Sequence, residues 1–516
     1  HPGNKPRVQV PGLGFQQSRR HRNAGIRQPL QSLPRYLRIR VFHGRDNPGH
    51  PGFHQRIGAR TSPTGMGARL QGDIGRGSLS PIASRRQRMA LGMEMPGTLG
   101  YASPYEPVPL TDLEEALLLV AGTGLSGLNL GDIDPSMGAD ALVQWTARTW
   151  PSSCSNHGTE LFFTNDSGTY FMDMWNLMPE KGELATLSGK SQDAQIDWMV
   201  DMVGRAKRQI DPQRAQMPTG LPGLFVFNHW NANMPGTTLF MPVSNMTLEY
   251  INLLFIYFSP EYRFTLVDET NGYAPAGLGR WIDSGRLDGA RQMGIVELEQ
   301  RVLSMQVVEQ AFICQNINLA LQAMGLGGWT YTGYIARYAL GGMDVPGLGF
   351  RFADAKRGPS VPVGRDGVFE AFVPPYHGDM SEAVDHFLEV KWSQYGPDKP
   401  KAYLEPDKVV SQIARPDQDT IQIVKDYCTY VHETYGRFPA FLDPMYQRLT
   451  CQAQHVDPDF YAQYYPPGAL TDQHHSHFER WHPEMAGDDG MPPRRDGASQ
   501  PPGPGNGGGH RPPGAL

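Results

Sequence analysis

Two stretches decide how this chain is read. Arg148-Thr-Trp-Pro-Ser-Ser-Cys-Ser-Asn-His-Gly-Thr-Glu-Leu-Phe-Phe163 passes from a turn crowded with small hydrogen-bonding groups into an apolar strand pattern. Glu309-Gln-Ala-Phe-Ile-Cys-Gln-Asn-Ile-Asn-Leu-Ala-Leu-Gln-Ala-Met-Gly-Leu-Gly-Gly-Trp-Thr-Tyr-Thr-Gly-Tyr334 is an apolar helix pattern that stops at a glycine cluster. Glycines there cap the helix and leave backbone able to approach a flat ligand closely. In the first stretch Pro151, Ser152 and Ser153 offer hydroxyls and amides, Asn156 offers an amide, and Arg148 carries a fork suited to phosphate.

Local signals extend outward from these segments. Thr111 with Glu114 three residues on has capping-box spacing, which predicts a helix over 110–122 stopped by Gly122. Asn165-Asp-Ser-Gly168 is a turn sequence between apolar runs, so 160–163 and 169–172 form a strand pair. Ile196, Met199, Val200, Val203 and Ile210 fall at helical spacing over 194–210. Residues 224–227, 238–241 and 264–267 read as strands, while 250–258 fits helix or strand equally. A helix over 298–324 is apolar on nearly every side from Ala311 onward, so it is buried in the domain or against a second subunit. Helices over 381–392 and 420–435 follow, the second stopped by Gly436.

The two quoted segments, in this order and at this separation, resemble the flavin-binding halves of the FMN-dependent nitroreductase superfamily. Ser152, Ser153 and Asn156 match its Pro-Ser-Ser turn, with Ser155 as the alternative for the asparagine place, and Trp329-Thr-Tyr-Thr-Gly333 matches the stretch facing the redox edge of the ring. The resemblance implies an α+β fold over 100–395, a central antiparallel sheet flanked by helices with a long buried dimer helix, and a helical C-terminal extension over 396–482. It implies FMN held by Arg148, Pro151, Ser152, Ser153, Ser155, Asn156, Gly327, Gly328, Thr332 and Gly333, with NAD(P)H as transient electron donor. The implied reaction is two-electron transfer to a small nitro-, quinone- or heterocycle-type acceptor in a homodimer. His157 and Tyr331 are the proton-donor candidates. The family's Arg-Ser-x-Arg phosphate grip is missing: Tyr101-Ala-Ser-Pro-Tyr-Glu-Pro-Val-Pro109 stands in its place. Lys356, Arg357 and Arg365 are substitutes for it, and a flavin-free relative acting as a binding module is the alternative.

Charge divides the chain. Residues 1–88 hold 17 Lys and Arg against Asp46 and Asp73, leaving 89–516 with 29 basic and 50 acidic residues. So acidic a body is a poor nucleic-acid ligand, because such binding neutralises phosphates. The Arg-, Gly- and Pro-rich arm is expected to be disordered or a mistranslated upstream segment, with Met89 the expected start and order setting in near Tyr101. Cys154, Cys314, Cys428 and Cys451 form no CxxC pair, which excludes a disulfide framework or a cysteine zinc motif. No signal-peptide layout or membrane-length apolar run is present, so no membrane is expected and a cytoplasmic location is. His455, Asp457, Asp459, His474, His475, His477 and His482 match no defensible metal spacing and are read as surface histidines, with no metal site expected. The Pro/Gly-rich 483–516 is read as a disordered tail.

Overall fold

The structure, a computed structural model, describes residues 87–128, 146–174, 183–356, 358–393, 415–488 and 490–492, with isolated positions 179, 405, 407, 494 and 495. The basic arm up to residue 86, Arg357 and the tail beyond 495 lie outside the described residues.

Seven strands make one antiparallel sheet: β1 (Thr159–Asn165), β2 (Gly168–Met172), β3 (Lys207–Asp211), β4 (Thr238–Asn245), β5 (Gly327–Tyr331), β6 (Met445–Tyr446) and β7 (Thr450–Gln454). Their order is β5-β7-β4-β1-β2-β3, and β6 also pairs with β4. Successive side chains of a strand point to opposite faces, and here both faces are covered. Phe162, Met241 and Val243 enter one core with Tyr250, Leu254 and Tyr427. Leu161, Phe163 and Phe240 enter another with Leu118, Ile313 and Ile317. A continuous apolar run such as Leu161-Phe-Phe163 is what a doubly covered strand requires.

The helices are α1 (Asp112–Thr123), α2 (Gln192–Ala206), α3 (Met246–Tyr257), α4 (Ile295–Met324), α5 (Met380–Ser393), α6 (Gln418–Tyr435), α7 (Pro458–Tyr464), α8 (Asp472–His475) and α9 (His477–Trp481). Thr111 and Glu114 form the expected capping box, but α1 runs to Gly124. Gly122 lies inside it because a Cβ there would stand 2.7 Å from Ile317 on α4. The apolar run that fitted helix or strand becomes α3, buried along most of its length and capped by the Asn245 side chain on the Thr247 amide. The 30-residue α4 ends at Gly325 with φ 80°, where a left-handed cap favours glycine.

Three further expectations are corrected. Ile210 belongs to β3, since α2 stops at Ala206 and the chain turns directly into the sheet edge. Residues 226–231 form a 3₁₀ helix, leaving only a single bridge from Leu224 to Tyr334. Order begins before Tyr101: Gln87, Met89, Leu91 and Met93 are buried, and the Gln87 amide donates to the Ala469 carbonyl. β7, from beyond residue 395, sits between β5 and β4. Near the C-terminal end Arg494 holds Asp459, at 2.6 Å. Among the described residues no helix is long and apolar enough to cross a membrane.

Candidate functional site

The turn between Trp150 and β1 is the most strained backbone near either quoted segment. Cys154 (φ 55°), Ser155 (φ 52°) and His157 (φ 46°) all lie in the left-handed region without being glycine. Each such residue costs on the order of 1 kcal/mol or more, so three together persist only where surrounding contacts enforce them.

Those contacts come from buried carboxyls. Ser152 Oγ donates to Glu309 Oε1 at 2.5 Å and accepts the His157 amide at 2.7 Å. Glu309 Oε2 accepts the Thr159 amide at 3.0 Å, so α4 ties both ends of the turn. Asn156 Nδ2 donates to Glu249 on α3 at 2.5 Å. Burial pushes Glu309 up to about 7, because a carboxylate loses its water here. Glu249 is pushed well up by burial and then by the neighbouring Glu309 charge. Burial, then the Arg148 cation, pushes His157 down to about 3, so its imidazole is neutral near pH 7.

Beneath the turn lies a cavity of about 300 Å³. His157, Gly158 and Glu160 form the wall nearest the turn, Phe171 and Asp173 come from the end of β2, and Phe369, Glu370 and Phe372 close the far side. The lining is largely aromatic and aliphatic. Its titratable members are Glu160, Asp173 and Glu370 with the imidazoles of His157 and His386, and no Lys or Arg lines it among the described residues.

The expected site residues separate into two groups. Ser152, Ser153, Ser155, Asn156 and His157 do share one turn, with Pro151 exposed at its start. Arg148, however, is buried and donates to the Met174 carbonyl, with the Glu160 charge beside it. A guanidinium used in this way is not a phosphate fork. Lys356 donates to the Glu433 carbonyl, and Arg365 to the carbonyls of Leu348 and Ile210. Gly327 and Gly328 are inside the sheet: a Cβ on Gly328 would stand 2.3 Å from the Gln452 carbonyl oxygen of β7, and one on Gly327 2.6 Å from Val456. Gly333 is closed by Asn228 Nδ2, which a Cβ would meet at 2.4 Å. Thr332 is exposed. Tyr331 stacks on Trp329 at 5.1 Å between ring centres, burial holds its phenol neutral, and it does not line the cavity.

FMN therefore does not fit the residues that one chain brings together. The backbone left bare by the glycines is covered by protein, and the cavity offers carboxylates where a phosphate needs a cation. The reading of the residues had missed Glu249 and Glu309. Buried acids in otherwise apolar helices were the available signal, but the turn they reach is not adjacent in sequence.

No family model matches this chain, and no curated protein does. Among solved structures it is similar to a protein of Ralstonia eutropha JMP134 provisionally named a nitroreductase, at 13% identity and a TM-score of 0.23. The match covers 55% of this chain and 77% of that one. At that score the likeness leaves fold and activity unassigned.

Proposed function

We propose that this chain is an enzyme of acid–base character acting on a small organic molecule, held in the cavity under the 152–158 turn. The observation that carries the reading is the run of left-handed, non-glycine residues clamped by a buried carboxyl that titrates near neutrality. Strain and shifted carboxyls gather where chemistry needs them. The Phe171, Phe369 and Phe372 rings suit an apolar body, and Glu370, an exposed acid of the lining, suits an attached cation or hydrogen-bond donor. Glu309 holds a proton behind Ser152 Oγ, and the Ser152 hydroxyl is the link from that store to the turn. The neutral His157 ring stands at the cavity wall.

The test is thermal stability against paired ligands. Aryl-alkyl amines should raise Tm and their isosteric aryl-alkyl carboxylates should not, and Glu370→Gln should weaken the amine effect. Equal shifts from both series, or none from either, would remove the cavity as the site.

A second reading keeps the oxidoreductase implied by the sequence resemblance, using FMN and NAD(P)H in a homodimer. The observation favouring it is on α4, where Val308 and Phe312 are 47% and 43% exposed one turn apart. Such a stripe suits a second copy, whose residues would be needed to complete a flavin site. Purified protein carrying about one FMN per chain would establish this reading. A colourless protein that refuses added FMN would leave the flavin-free one.

A further inference from the structure

A second constellation lies far along the chain from the turn. Glu114 of α1, His455 just after β7, His477 at the start of α9 and His482 at its end converge, all buried. One ligand atom from each lies within 4.8 Å of every other. The Nε2 atoms of His477 and His482 are each 2.9 Å from Glu114 Oε1, and that of His455 is 3.3 Å away. His455 Nε2 and His482 Nε2 are 3.1 Å apart. Ligands at about 2.0–2.1 Å from a tetrahedral ion are separated by roughly 3.3 Å, close to the four separations just given.

Hydrogen bonding around the ring fixes which atoms face inward. His455 Nδ1 is 2.9 Å from the Val108 carbonyl, and His477 Nδ1 is 2.7 Å from the Met324 carbonyl. A carbonyl only accepts, so both Nδ1 atoms carry a proton, and both rings present Nε2, the atom left for an ion, toward the same carboxylate oxygen. His477 Nε2 is buried and approaches the same oxygen at 2.9 Å. Glu114 is oriented in the same manner. Its Oε2 accepts the Thr111 amide and hydroxyl at 2.8 and 2.9 Å, which leaves Oε1 for the centre. Backbone carbonyls and a capping residue thus form the outer layer that metal ligands ordinarily require. Three imidazoles and a carboxylate converging on one point, sealed from solvent, are an arrangement that a bound cation holds together.

We propose that Glu114, His455, His477 and His482 bind one divalent transition-metal ion, zinc above all, in a closed structural centre. Three imidazoles and one carboxylate suit zinc, and four protein ligands leave no open position for a substrate. The ion would fasten the C-terminal helices α7 to α9 to α1 and to the end of β7. It lies apart from the cavity reading and stands or falls separately.

Tag-free full-length protein, purified without chelator and dialysed, is expected to contain one zinc per chain by elemental analysis. Stripping it should lower Tm, and zinc should restore the loss. His477→Gln with His482→Gln should abolish stoichiometric metal, whereas His475→Ala, at an exposed neighbour, should not. Should the double variant not fold, wild-type protein loaded with Co²⁺ gives an independent readout, the visible bands of a tetrahedral nitrogen–oxygen site. A folded wild type with no stoichiometric metal, no Tm response to zinc and no cobalt bands overturns the proposal. So does full metal retention in the double variant.

Discussion

Replacing Glu309 by Gln probes the clamp on the strained turn and has a sign that the structure dictates. Burial raises the Glu309 carboxyl from an ordinary 4.5 to about 7. In the unfolded chain the group releases its proton near the ordinary value, whereas the native protein holds it until about 7. Between those values the native state binds more protons, so stability falls as pH rises through the window and levels off above it. The shift corresponds to roughly 3 kcal/mol at most. An amide cannot ionise, yet it reproduces the protonated carboxyl. Its Nε2 can donate to Ser152 Oγ, which then donates to the Ser153 carbonyl 3.2 Å away, while its oxygen accepts the Thr159 amide. The contact from Gln306 Nε2, at 3.4 Å, is weak and its loss minor. Glu249 faces the same site and its carboxyl is pushed up partly by Glu309, so the variant should also ease its titration. Urea unfolding from pH 4.5 to 8 should therefore show Glu309→Gln level with wild type at the acid end and up to about 3 kcal/mol more stable at the alkaline end. Parallel curves across the range would refute a raised carboxyl at this position, and with it the proton store.

Two further substitutions discriminate between readings of the same residues. Gly328→Ala puts a methyl 2.3 Å from the Gln452 carbonyl, so a loss of about 1–3 kcal/mol is expected in thermal unfolding; an unchanged Tm would mean that the glycine faces open space. If α4 is a dimer seam, Val308→Glu with Phe312→Glu should halve the mass found by light scattering with little change in helix content, and a wild type that already runs as a monomer would end the homodimer reading.

Much of the local structure was legible because its causes are local. The Thr111–Glu114 box, the turn at Asn165–Gly168, and the stop of α4 at Gly325 each depend on residues within one or two turns of chain. Spacing also placed Ser152, Ser153, Ser155, Asn156 and His157 on a single turn. What spacing could not show is which side of that turn is filled. The bare backbone at Gly327 and Gly328 reads as room for a ligand until β7 is seen beside it, supplied from more than 100 residues later.

The sequence by itself determined the periods, caps and stops of the helices and strands, since these follow from short-range hydrogen bonding and the steric limits of each residue. Tertiary structure alone decided the chemistry. Ser152 meets Glu309 across 157 residues, and Glu114 meets His482 across 368. Such meetings depend on sheet order and on how α4 crosses it. The histidines at 455, 477 and 482 carried no metal-binding spacing, because their fourth partner is a capping glutamate at the other end of the fold, brought to them by packing.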